Sequence, residues 1–243
     1  RTAKDNNRNL IEDINYFIDR KVDLLFVAPN EAAAGTPVVE KAYGLGIPVV
    51  VIDRKILSDR YTAFVGADNC EIGKDVGQYI VNRLGGKGKI LEITGLEGST
   101  PAMERHRGLA DALKAEPGIE IAASVDGARL QSVAGEKMDS ILQDNKDINL
   151  VIAQNDRMAV GAYLSARQRQ LEKEMLFVGI DALPGKGYGV EQVLEGVLDA
   201  TFIYPTGGDK VMQVAMDILE KRPYERDTKL STALVDKTNA RVM

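Results

Sequence analysis

The chain has 243 residues, 44% of them apolar, enough to bury a substantial core in one large or two modest domains. A net charge of only −5, with no dense basic stretch, argues against nucleic acid as a partner of this segment and against an anionic membrane surface. The longest apolar runs, at 24–28 and 47–52, fall far short of the roughly 20 residues that span a bilayer. A single cysteine, Cys70, and a single histidine, His106, exclude an intramolecular disulfide and a Cys/His zinc site.

Residues 1–7 contain no apolar stretch of the kind a secretory signal needs. Leu10, Ile11, Ile14, Phe17 and Ile18 then recur with the period of a half-buried helix, and the apolar run at 24–28 reads as a buried strand. A helix at 37–43 ending at Gly44 follows, then strands at 49–52 and 62–65 and a helix at 73–84 ending at Gly85-Gly86. Further strands are predicted at 90–94, 120–124, 150–153, 175–180 and 198–203, with helical patterns in most of the gaps. Strands that alternate with helices and read as continuous Val/Ile/Leu runs predict an α/β fold with parallel sheets covered on both faces. No linker, low-complexity segment or repeat divides the chain, so any domain boundary is short and structured. An open parallel sheet normally opens on a strand that becomes central, whereas this chain opens on a helix. One β-α-β unit is therefore expected to precede Arg1.

Polar residues gather where strands end, and ligands of open α/β sheets sit outside the carboxyl ends of the strands. The run at 49–52 leads into Asp53-Arg54, the run at 150–153 into Gln154-Asn155-Asp156, and the run at 176–180 into Asp181. After the 90–94 strand, Ser99 or Thr100 can cap a helix with Pro101 in its first turn, and that helix carries Arg105. Carboxylates accept from hydroxyls, Arg donates in a planar fork and Asn does both, which is what a neutral polyol requires. An Asp after a strand is often only a turn or cap residue, and Asp156 is expected to cap the helix that begins near Arg157.

Other signals have plainer explanations. The segment at 95–100 lacks the Lys of a Walker A loop, and the glycines at 185–189 have the wrong spacing for a dinucleotide fingerprint. His106, between Arg105 and Arg107, reads as a surface residue, no Gly-x-Ser-x-Gly elbow exists, and Cys70 reads as a small packing residue. No catalytic residue, cofactor or metal is expected.

Taken in order, Gly46-Ile47-Pro48-Val49-Val50-Val51-Ile52-Asp53-Arg54, Gly66-Ala67-Asp68-Asn69, Met103-Glu104-Arg105-His106-Arg107-Gly108, Ala153-Gln154-Asn155-Asp156-Arg157-Met158-Ala159, Val178-Gly179-Ile180-Asp181 and Leu198-Asp199-Ala200-Thr201 resemble the ribose-binding branch of the type I periplasmic binding proteins. The resemblance implies two doubly wound lobes joined by a three-crossover hinge, one from 1–67 and 205–232, the other from 68–204 and 233–243. It places sugar contacts on Asp53, Arg54, Arg105, Asn155 and Asp181. Tyr204 stands where the family usually has Gln, and could stack on or hydrogen-bond a sugar. Arg129 or Leu130 stands where an aromatic is usual.

The C-terminal residues at 234–243, with 180–187 and 201–206, are similar to the sugar-sensing domains of Bacteroides-type hybrid two-component sensors. That similarity implies a periplasmic domain that closes on a monosaccharide such as the ketohexose fructose. It implies signalling to a histidine kinase across a membrane met only through the parent chain, as a homodimer. The alternatives are a soluble solute-binding protein of a sugar transporter and the effector core of a LacI-like repressor.

Overall fold

The computed structural model describes residues 1–4, 6–96, 98–145 and 147–242. Asp5 of the opening segment, Glu97 of the loop after the 90–94 strand, Lys146, and Met243 at the end of the expected second lobe lie outside the described residues. In chain order the elements are α1 (Asn7–Asp19), β1 (Leu25–Val27), α2 (Ala32–Gly44), β2 (Val49–Ile52), β3 (Ala63–Ala67), α3 (Asn69–Leu84), β4 (Gly88–Thr94), α4 (Thr100–Leu113) and β5 (Ile119–Asp126). They continue with α5 (Gln131–Asp144), β6 (Leu150–Ala153), α6 (Asp156–Gln168), β7 (Leu176–Val178), α7 (Gly189–Glu195), β8 (Ala200–Phe202), α8 (Gly208–Leu219), β9 (Asp227–Leu230) and β10 (Leu234–Asp236). The chain packs into two compact units, one of Arg1–Asp68, Gly98–Pro101 and Pro205–Ser231, the other of Asn69–Glu97, Ala102–Tyr204 and Thr232–Met243.

The first unit holds a four-stranded parallel sheet in the order β1-β2-β3-β9. Side chains alternate across a strand, so Val49 and Val51 face one layer and Val50 the other; all three are fully buried, because both faces are covered. One face takes Leu10, Ile14 and Ile18 of α1 and Val38, Val39 and Ala42 of α2. The opposite face takes Val211 and Val214 of α8. Helix α1 starts where Asn6 accepts from the N–H groups of Arg8 and Asn9, which satisfies two donors that have no partner inside the helix.

The second unit holds a six-stranded sheet in the order β10-β8-β7-β6-β4-β5, parallel except that β10 runs antiparallel to β8. Its core sets Leu91, Ile93, Val151, Ala153 and Phe177 of the strands against Met138 and Leu142 of α5 and Met158, Ala159 and Ala162 of α6. Helices α3 and α4 touch backbone to backbone. A Cβ on Gly73 would lie 2.2 Å from the Arg105 carbonyl, and one on Gly108 2.1 Å from that of Cys70.

The structure corrects several predicted boundaries. Helix α2 starts at Ala32 and keeps Pro37 in its interior, where the sequence put the first turn. The strands at 175–180 and 198–203 shorten to three residues each, paired at Val178 and Ala200, with a further isolated bridge between Asp181 and Ile203. Helix α3 begins at Asn69, four residues before the predicted start. Among the described residues no helix is long and apolar enough to cross a membrane, and no cluster of metal-ligating side chains occurs.

Candidate ligand-binding site

In the first unit the ends of β1 and β2 bring three polar side chains together. Asp53, just past β2, adopts φ 66°, in the left-handed region that Asp tolerates better than most side chains, and its N–H donates to the Val65 carbonyl at 3.0 Å. The turn sets Arg54 Nε 3.6 Å from the Asp53 carboxylate, and Arg54 Nη1 donates to Asn30 Oδ1 at 3.3 Å. Asn30 is buried just beyond β1. In the sequence it follows the 24–28 apolar run with the same strand-end amide signal that marks Asn155.

The second unit carries the other four candidates, Arg105, Asn155, Asp181 and Tyr204. Arg105 is 9% exposed, with Nε donating to Asn69 Oδ1 at 2.8 Å and Nη1 to the Gln154 carbonyl at 2.7 Å. The guanidinium carbon lies 4.6 Å from the Tyr204 ring centroid. Tyr204, expected as a stacking or hydrogen-bonding group for a sugar, thus has its ring under Arg105, and its N–H donates to the Asp181 carbonyl at 3.1 Å. Asn155 follows Gln154 directly and caps α6, its Oδ1 accepting from Met158 N–H at 2.8 Å. Its Nδ2 is the group left to donate. Arg129 and Leu130, after β5, are exposed, and Arg129 sits at φ 59°.

Asp156 does not cap α6 as the sequence suggested. Asn155 does, and Asp156 is the first helical residue, 5% exposed, with its carboxylate turned inward. Oδ1 accepts from Thr201 Oγ1 at 2.6 Å and Oδ2 from Ala182 N–H at 2.9 Å. Burial pushes this carboxyl up to about 7; the Thr201 and Ala182 bonds oppose the rise and the neighbouring Asp181 charge adds to it.

A second buried network supports Arg105. Gln154 is 3% exposed; its Nε2 donates to Glu92 Oε1 at 3.0 Å and its Oε1 accepts from Gly95 N–H at 3.3 Å. Glu92, 1% exposed on β4, also accepts from Ser124 Oγ at 2.9 Å and faces His106 Nδ1 at 2.6 Å. His106 is exposed as the sequence implied, yet its ring nitrogen reaches a buried carboxylate. A buried carboxylate is tolerated only when its oxygens are satisfied, and here both are.

Chemically, each unit presents side chains that bind hydroxyls: a carboxylate and a guanidinium with Asn30 in the first, and Arg105, the Asn155 amide and the Asp181 carboxylate in the second. The two hydrogen bonds from Arg105 to Asn69 and Gln154 end on neutral oxygens.

A family model described as periplasmic binding protein domain matches residues 2–223. The chain is similar to the fructose binding periplasmic domain of hybrid two component system BT1754, with 58% identity and a TM-score of 0.98, covering all of this chain and 81% of that one. It is 33% identical over 198 residues to the galactofuranose-binding protein YtfQ of Escherichia coli strain K12, covering 79% of this chain and 61% of that protein. To the ribose import binding protein RbsB of the same strain it is 31% identical over 183 residues, covering 75% and 60%. The chain thus spans about three fifths of the length of these two curated relatives.

Proposed function

The chain belongs to the periplasmic binding protein family, and from that premise we propose that it is the periplasmic sugar-sensing domain of a membrane-linked two-component histidine kinase, acting by binding a monosaccharide and not by covalent chemistry. The observation that carries the proposal is the set of hydroxyl-binding side chains at the strand ends and on α4: Asp53, Arg54 and Asn30 in one unit, Asn155, Asp181 and, from α4, Arg105 in the other. The ligand is a free, neutral sugar of the ketohexose class, for which the likeness to the fructose binding domain gives support. Lobe boundaries at 67–68, 204–205 and 232–233 are part of the same reading, as is a homodimeric parent.

The likeness to the ribose import binding protein RbsB favours a second reading, a solute-binding protein of a sugar transporter, with the same ligand chemistry. Calorimetric titration with fructose, ribose, glucose, galactose and xylose tests the binding claim common to both. Micromolar binding of one sugar is the expected result. A folded protein that binds none of them refutes it. The two readings separate on whether the parent gene encodes a kinase downstream of Met243.

A further inference from the structure

We infer that Asp156 is a positioning residue: without touching the ligand, it holds the turn that carries Asp181 in the conformation that presents the Asp181 carboxylate. What Asp181 binds rests on the sugar-binding reading; how Asp181 is held does not.

The turn has an unusual backbone. Asp181 and Ala182 adopt φ 135° and 50°, a region that L side chains rarely occupy, and Gly185 and Gly187 follow with φ 106° and 80°. Residues 183–188 are exposed. The turn borders a cavity of about 220 Å³ lined by Gln131, Asp156, Arg157, Asp181, Tyr188 and Gln192, while Ile180 and Ala182 on either side of Asp181 are buried. The backbone of Asp181 is tied to the segment that follows β8, its N–H donating to the Phe202 carbonyl at 2.9 Å and its carbonyl accepting from the Tyr204 N–H at 3.1 Å, and Asp156 adds polar ties of its own. The Asp156 N–H donates to the Ile180 carbonyl at 2.8 Å, one residue before the turn, and Oδ2 accepts from Ala182 N–H at 2.9 Å, one residue after Asp181. Oδ1 anchors the carboxylate to the fully buried Thr201 of β8 at 2.6 Å.

The surroundings are shaped to this carboxylate. A Cβ on Gly179 would lie 2.1 Å from Oδ1 and one on Gly189 1.8 Å from Oδ2, so any larger residue at either position would collide with it. Burial beside the Asp181 charge raises the cost of ionising the group. A carboxylate so placed, bonded to the Ala182 N–H and anchored on Thr201, together with the Asp156 N–H on the Ile180 carbonyl, holds the backbone on both sides of Asp181.

The test compares the unaltered protein with Asp156→Ala, Asp156→Asn and Thr201→Val by sugar titration and by amide hydrogen exchange at Ala182. In Asp156→Ala the Ala182 amide is expected to exchange at least about tenfold faster while β6 and β7 keep their protection, and sugar affinity to fall at least about tenfold. Asp156→Asn, whose amide can turn to accept from Ala182 and donate to Thr201, is expected to restore both to within about threefold. Unchanged exchange in a folded Asp156→Ala overturns the inference, as does faster exchange with unchanged affinity. If Asp156→Ala does not fold, Thr201→Val decides, since loss of that anchor must still speed exchange at Ala182, and no change overturns the inference. If the unaltered protein binds no sugar, the sugar-binding reading fails, and exchange at Ala182 by itself decides whether Asp156 holds the turn.

Discussion

At Arg105 a buried cation is held by two neutral oxygens and an aromatic face, Asn69 Oδ1, the Gln154 carbonyl and the Tyr204 ring. That arrangement needs a planar fork with donors at fixed angles, which lysine lacks. Arg105→Lys is therefore expected to destabilise the protein by about 1 to 3 kcal/mol in denaturant unfolding and to weaken sugar binding by at least about tenfold. Asp156 makes a different prediction, because its carboxyl is pushed up to about 7 in the fold from an ordinary value of 3.8. A group whose pKa is raised on folding contributes stability that is fully present below the unfolded value and lost as pH climbs through the folded one. Stability is thus expected to fall between about pH 4 and pH 8, by about 4 kcal/mol relative to Asp156→Asn, which cannot ionise. Equal pH profiles for the two proteins in denaturant titrations would contradict this.

Helices α3 and α4 show how an element delivers a side chain. Arg105 reaches Asn69 because the two helix backbones approach within contact at Gly73 and Gly108, where any Cβ would strike a carbonyl. Gly108→Val is expected to force the helices apart and cost about 3 kcal/mol or more of stability, read by denaturant unfolding, since the obstacle is backbone and not a flexible side chain. A variant as stable as the parent would mean that α4 moves freely on α3. The same approach explains the Arg-x-x-Gly spacing in the motif at 103–108: the arginine and the glycine lie one helical turn apart, on the face that meets α3. Next to the Gln154 carbonyl that holds Arg105, Asn155 caps α6 with its side chain, so the amide is oriented by the helix it starts.

For the molecule as a whole, each unit buries an apolar core of its own and places its polar strand ends by the register of its sheet. Binding energy in such a site comes from charged hydrogen bonds of roughly 1.5 to 3 kcal/mol each, so the loss of one carboxylate is a large change in affinity and a small one in stability. Asp53→Ala in the first unit and Asp181→Ala in the second are each expected to weaken sugar binding at least about tenfold by calorimetry, with unfolding midpoints little changed. Full affinity in both variants would remove these residues from the site.

The sequence by itself determined the α/β class, the central strands β2, β4 and β6, and the side chains at their ends, because buried parallel strands require unbroken Val/Ile/Leu runs and polar residues mark where those runs stop. Asp53, Arg54, Asn155 and Asp181 were legible for that reason. Tertiary structure alone decided that Asn155 and not Asp156 caps α6, that Tyr204 lies under Arg105, and that Asn30, Asn69, Glu92 and Gln154 hold the site's charged groups. Apart from the local cap, the Arg54–Asn30, Arg105–Asn69, Gln154–Glu92 and Arg105–Tyr204 pairings join residues between 24 and 99 positions apart along the chain. Local pattern carries no information at such separations, because a hydrogen bond across strands depends on sheet order and register, which only the folded chain specifies.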